Sequence, residues 1–160
     1  MWAIISILVE NKPGILFKVT HLFRSRSFNI SSISVGVTPD PEISRMTITS
    51  NGDKKHIEQL VKQLGKMIDT IEVKQLDEQR TIYRELILFK IKVSSPNESM
   101  EINKLANAYN AKIHDARKDS IIVEMTATPD QIKAFEDLVK PFGIIETART
   151  GLTALERGGE

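Results

Sequence analysis

One order of apolar patterns runs through this chain twice, and a sequence that repeats it is confined to few architectures. Residues 3–9 form a β-branched run, Ile4, Ile5, Ile7, Leu8 and Val9 broken only by Ser6, with the length of a buried strand. Asn11-Lys12-Pro13-Gly14 ends it, and Leu16, Val19, Leu22 and Phe23 follow at helical spacing. Residues 28–37 read as a second strand. Its apolar parity changes between Ile30 and Ile33, which predicts a bulge near Ser31-Ser32. Thr38-Pro39-Asp40-Pro41-Glu42 is a loop, because two prolines cannot serve a central ladder. Residues 43–50 alternate with Met46 and Ile48 on one face. Asp53 offers an N-cap to a helix carrying Ile57, Leu60, Val61 and Leu64, and residues 67–76 return as a strand.

The second half follows the same order. A strand at 82–93 precedes a helix at 97–109, a hairpin of 111–116 and 120–126 turns around Arg117-Lys118-Asp119, and Thr128-Pro129-Asp130 opens a helix with proline in its first turn. A strand at 144–150 closes the set. Residues 57–65 also echo residues 135–143 at an offset of 78, with Glu, Leu, Val, Lys and Gly coinciding. Two amphipathic helices sharing common residue types would give the same echo. The fold class expected is α+β, two tandem βαββαβ ferredoxin-like domains, at 1–77 and 78–160. The tail after Gly151 has little to bury and is expected to fray at Gly158-Gly159.

Charge and composition exclude several function classes. The 160 residues carry 22 Lys+Arg against 21 Asp+Glu, and neither half is a basic module: the first has a net charge of +2, the second −1. A protein that grips nucleic acid through phosphates shows a cationic excess, and aromatics at 6% are too few for base-stacking platforms. An RNA-binding module with the same βαββαβ order would need exposed aromatics on its middle strands, and residues 43–50 contain none. Cysteine is absent, which removes disulfides, thiolate metal sites and cysteine nucleophiles. No apolar stretch approaches the ~20 residues of a membrane span. The expectation is a soluble cytoplasmic protein with neither nucleic acid nor membrane as partner.

Nothing in the pattern argues for catalysis. His21, His56 and His114 have no partners at metal-ligand spacing, the carboxylates are scattered, and the glycines form no phosphate-cradling loop. Catalytic, cofactor-binding and metal residues are expected to be none. One local arrangement has a binding chemistry, Glu10-Asn11-Lys12-Pro13-Gly14-Ile15-Leu16. A strand ends, the chain turns, and a helix begins whose unpaired N–H groups and dipole suit a carboxylate. Gly14 has no Cβ to bar a small anion. Asn11 offers an acceptor to an ammonium and donors to a carboxylate, while Ile15 and Leu16 supply aliphatic surface. These are the needs of a free α-amino acid, though an ordinary asparagine-capped strand-to-helix turn has the same spacing.

Leu8-Val9-Glu10-Asn11, Pro13-Gly14, Leu22-Phe23, Phe28-Asn29-Ile30 and Ser44-Arg45-Met46-Thr47-Ile48 resemble an ACT domain. More narrowly, they resemble the regulatory small subunit of acetolactate (acetohydroxyacid) synthase. The resemblance continues through Gly52-Asp53, Ile57-Glu58-Gln59-Leu60 and Arg84-Glu85-Leu86 to Ala148-Arg149-Thr150-Gly151, covering essentially the whole chain. It makes the first domain an ACT domain. The second half has Ser94-Ser95-Pro96-Asn97 where the first has its Asn-x-x-Gly turn, so the effector site carries over to the first half alone.

The resemblance implies a non-catalytic subunit that activates a catalytic large subunit, a transferase of branched-chain amino-acid biosynthesis. Thiamine diphosphate, Mg and FAD are expected on that partner and no cofactor in this chain. It further implies a homodimer through paired ACT domains, with valine bound at their interface to give feedback inhibition. Asn11 and Gly14 match the family's effector loop, and Asn29 matches the polar residue offered by the neighbouring chain. Ile15, Leu16, Ile30 and Val35 are the expected apolar surround. An ACT-type amino-acid sensor acting on a different enzyme or on transcription is the alternative, since fold alone does not settle function.

Overall fold

The computed structural model describes residues 2–159 and divides into two compact units, one running to Tyr83 and resuming at Gly151, the other spanning Arg84–Thr150. The first unit is built in the order Trp2–Glu10 (β1), Ile15–Ser25 (α1), Ile30–Val37 (β2), Ile43–Asn51 (β3), Lys54–Gly65 (α2) and Thr70–Leu76 (β4). Its sheet runs β2-β3-β1-β4, antiparallel throughout. The long β-branched run lies centrally, where both its neighbours are strands. On the helix-covered face Ile5, Ile7, Val9, Met46 and Ile48 pack with Val19 and Phe23 of α1 and Leu60 and Leu64 of α2. The register shift on β2 falls between Ile30 and Ser32, where the parity change predicts it. Residues 67–69 are turn rather than strand, and β4 starts at Thr70. Ile68 is 91% exposed there, so its hydrophobicity marked no buried face.

The second unit repeats the plan with Thr81–Lys92 (β5), Pro96–Ala108 (α3), Lys112–Ala116 (β6), Ser120–Ala127 (β7), Pro129–Val139 (α4) and Ile144–Arg149 (β8). Its strands run β6-β7-β5-β8, which is the same 2-3-1-4 order. Phe89, Ile91, Val123, Ile102 and Phe135 centre its core. Both units are ferredoxin-like. The sequence echo at offset 78, however, is not the structural repeat. Asp53 caps α2 and Thr128 caps α4, and the buried stripes Ile57, Leu60, Leu64 and Ile132, Phe135, Val139 match 75 positions apart. At an offset of 78, buried Leu60 would correspond to Leu138, which is 43% exposed. The coinciding letters are common helix residues on different faces.

The tail overturns its expectation. Leu152 and Ala154 are buried with Ile4 and Leu76 on the face of the first sheet away from the helices, with Trp2 and Tyr83 against them. Thr153–Glu156 forms a further strand (β9) paired with β5, whose opening residues belong to the same unit. The 78–160 half is therefore not one compact body, since residues from Gly151 onward pack with the first unit. Hydrophobic count alone hid this, because two buried side chains suffice to seat a short strand on a ready-made sheet. Among the described residues no helix is long and apolar enough to cross a membrane.

Candidate effector site

β1 delivers Glu10 to the end of the sheet where β2 stops and β3 begins. There the Asn11 N–H donates to the Glu42 carbonyl at 2.7 Å and its side-chain Nδ2 to the Pro41 carbonyl at 2.9 Å. Those bonds fasten the 11–14 turn to the 38–42 loop. They also consume donor capacity and leave Oδ1 of Asn11 with no donor among the described residues, an acceptor suited to an ammonium.

Gly14 caps α1 with φ +85°, in the left-handed region where a Cβ is strained. Beyond its own residue, its chain neighbours and the adjoining helix backbone, no heavy atom of the described residues lies within 4 Å of the point where its Cβ would sit. α1 has no side-chain cap and no acidic residue in its first turn. Its first intrahelical bond runs from the Lys18 N–H to the Gly14 carbonyl, so the N–H groups from Gly14 to Phe17 take no intrahelical partner and suit an anion, whereas those of Asn11 and Lys12 are bonded to the Glu42 and Glu10 carbonyls. Among the described residues the starts of the other α-helices, α2, α3 and α4, are occupied. The Asp53 carboxylate accepts from the His56 N–H, Ser95 accepts from the Glu98 N–H while the Glu98 carboxylate takes the Ser94 N–H, and Thr128 and Gln131 form a capping box. At α3 a carboxylate of the chain itself thus sits where an anion would bind, which is the physical content of the missing Asn-x-x-Gly turn.

Ile15 is buried in the core beneath the turn, whereas Leu16 is 47% exposed beside it. Val35 lies near the end of β2, at the same end of the sheet as Asn11, and is half exposed. Asn29 and Ile30 lie at the opposite end, where β2 starts across from Ser50. One chain therefore brings together Asn11, Gly14, Ile15, Leu16 and Val35 at one end and leaves Asn29 and Ile30 at the other.

A buried carboxylate that the sequence did not single out organises the turn from below. Asp69 carries Lys18 at 2.6 Å and Lys12 at 3.9 Å, and its carbonyl accepts the Glu10 N–H at 3.0 Å. Lys12 also meets Glu10 at 2.5 Å; the hydrogen bond to that carboxylate, then its charge, raises the lysine pKa. These partners lie about fifty positions apart, so no local spacing announces them. In the second unit, Glu85 is buried against the Arg149 guanidinium, and Thr150 exchanges bonds with the Leu86 backbone, both at 2.9 Å. Two segments that carried the family resemblance thereby meet. The histidines are local: His21 stacks on Phe17, His56 meets Phe28 edge-on, and His114 pairs with Glu124 at 2.7 Å. Among the described residues no group of three or more His, Asp or Glu could hold a metal ion.

Known proteins of similar sequence and fold agree with one another. A family model for an AHAS small subunit-like ACT domain matches residues 5–72, and one for the small subunit of acetolactate synthase matches residues 84–158. A probable acetolactate synthase small subunit from Archaeoglobus fulgidus is 46% identical over 156 residues, covering 98% of this chain and 97% of that protein. The acetolactate synthase small subunit of Bacillus subtilis is 42% identical, covering 99% and 92%. The crystal structure of the acetolactate synthase small subunit from Thermotoga maritima superposes with a TM-score of 0.91 at 36% identity, covering 100% of this chain and 99% of that one. With likeness running the full length in both sequence and fold, the chain belongs to the acetolactate synthase small-subunit family, its first unit an ACT domain.

Proposed function

We propose that this chain is the non-catalytic regulatory subunit of a cytoplasmic acetolactate synthase in branched-chain amino-acid biosynthesis. It activates the catalytic large subunit and returns it to low activity when valine binds. The catalytic chemistry, with thiamine diphosphate, Mg and FAD, belongs to the large subunit. The observation that carries the reading is the uncapped start of α1 at Gly14, open to an anion and lying at the end of an unpaired edge strand.

β2 is that edge strand. Its residues Ile30-Ser31-Ser32-Ile33-Ser34-Val35-Gly36-Val37 include no charge and no proline, the devices that blunt an exposed edge. β4, at the other edge, has Glu72 and Lys74. Pairing β2 with its copy across a two-fold axis reverses the strand, so the partner copy's Asn29 end comes beside the Asn11 end of the first chain. The carboxylate of valine then meets the α1 N–H groups, Asn11 Oδ1 takes its ammonium, and Leu16 and Val35 face its side chain. A ligand held by two chains couples its binding to their relative placement, typically with ~1–3 kcal/mol, or about 5–150-fold in affinity.

The experiment is valine titration of the purified chain by calorimetry, with mass measured in solution at micromolar concentration. The expectation is a dimer binding valine, stabilised by about 2.7 kcal/mol per site at ~100-fold excess over the dissociation constant. A monomer that binds no branched-chain amino acid contradicts the reading.

A further inference from the structure

Gly151 rests on the backbone of the edge strand. A Cβ built there would lie 2.3 Å from the Ile33 carbonyl oxygen, 2.6 Å from its carbon and 3.1 Å from its nitrogen. Those are main-chain atoms of β2, so they cannot swing aside as a side-chain tip does. Gly151 does not have the left-handed conformation that marks Gly14 and Gly158; closeness of approach, not φ, excludes a side chain. The next residue fixes the contact. Leu152 is fully buried with Ile4, Leu76 and Ala154, and its N–H points to Ser32 Oγ at 3.4 Å, which in turn bonds Thr49 Oγ1 at 2.6 Å. The landing point adjoins the irregular register between Ile30 and Ser32, where β2 is held least regularly by β3. Beyond it, Lys74 and Glu156 pair at 2.5 Å and anchor the far end of the tail.

We propose that Gly151 is a positioning residue for β2: the strap from Gly151 to Glu156 bears on Ile33 and sets the placement of the edge strand at which effector and second copy are received. The strap is seated by side chains of its own unit; among the described residues it makes no hydrogen bond or ion pair to Asn11 or Gly14, while its Thr153, Ala154 and Leu155 share a cleft with Val35. A change in it therefore reaches the edge through Ile33 and the cleft beside Val35 rather than through Asn11 or Gly14. Only the consequence for dimerisation rests on the reading of β2 as the pairing edge.

The test is Gly151→Ala in the full chain, read by amide hydrogen exchange and by sedimentation. Exchange at 32–37 should accelerate at least tenfold while amides of β7 keep their wild-type rates, and the dimer dissociation constant should rise at least tenfold. Gly159→Ala, at a tail glycine whose Cβ meets nothing within 4 Å, should change neither. Wild-type exchange in β2 of Gly151→Ala overturns the proposal. Should Gly151→Ala fail to fold, Leu152→Val takes its place, removing one methylene from the anchor and adding no atom near Ile33. Acceleration confined to β2 then supports the strap, and uniform acceleration or none overturns it. A wild-type chain that is monomeric would refute the dimer reading instead, while the exchange comparison still decides the strap.

Discussion

Lys18 reaches across 51 positions of sequence to place its ammonium 2.6 Å from the carboxylate of Asp69. One residue lies on the helix that opens at Gly14, the other in the turn that receives the Glu10 N–H, so the pair ties the floor of the 11–14 turn to its helix. Replacing Lys18 by Met leaves a carboxylate that is only 6% exposed with Lys12 at 3.9 Å as its nearest cation. Removing one member of a fully buried pair costs ~3–5 kcal/mol, but the Lys18 side chain is 53% exposed and already partly screened. We expect a loss of ~1–2 kcal/mol in urea unfolding, with weaker valine binding.

Gly14→Asp should abolish valine binding by placing bulk and negative charge where the ligand carboxylate belongs. The left-handed backbone at φ +85° adds a cost of about 1 kcal/mol, too little to unfold the chain. The variant should still activate the catalytic subunit and should resist feedback inhibition. Calorimetry showing wild-type valine affinity would move the effector site elsewhere.

Val35→Lys should dissociate the dimer. The side chain lies on an uncharged edge, half exposed in the single chain, and pairing of that edge would take an ammonium group of each copy out of water at the seam. Sedimentation equilibrium should show the dissociation constant rising at least tenfold while the circular dichroism spectrum stays that of the wild type. An unchanged dimer would exclude β2 as the pairing edge.

The fold was legible in the sequence wherever a periodic apolar face met a turn residue. The β1 run, the bulge beside Ser32, the Asp53 cap and the Thr128-Pro129 helix start all carry local signals of that kind. Contacts between distant positions were not. Asp69 shows as one acid in a polar turn, Glu85 and Arg149 as unrelated charges, and Gly151 as a tail glycine. Each acquires its meaning from a partner more than fifty residues away. The 11–14 turn was half legible: Gly14 announced an open helix start, while the capture of the Asn11 amide by Pro41 needed the fold.

The tail should respond to acid. The hydrogen bond from Lys74 lowers the Glu156 carboxyl pKa, assisted by the Asp77 N–H and the lysine charge. A carboxyl lowered in the folded state contributes stability above its unfolded pKa and loses it as pH falls through the folded one. Glu156→Gln should therefore differ from wild type in exchange of the β9 amides at neutral pH. The difference should vanish once pH drops below the usual carboxylate range. A difference that persists in acid would mean that charge does not hold the strap's end.

Acetolactate formation by the cognate catalytic subunit, titrated with this chain in the presence and absence of valine, bears most directly on the regulatory role. The chain alone should form no acetolactate. Adding it should raise turnover of the catalytic subunit to a plateau, and valine should withdraw that gain for the wild type but not for Gly14→Asp. Turnover by the chain alone, or a mixture that behaves like the catalytic subunit alone with and without valine, would contradict the account.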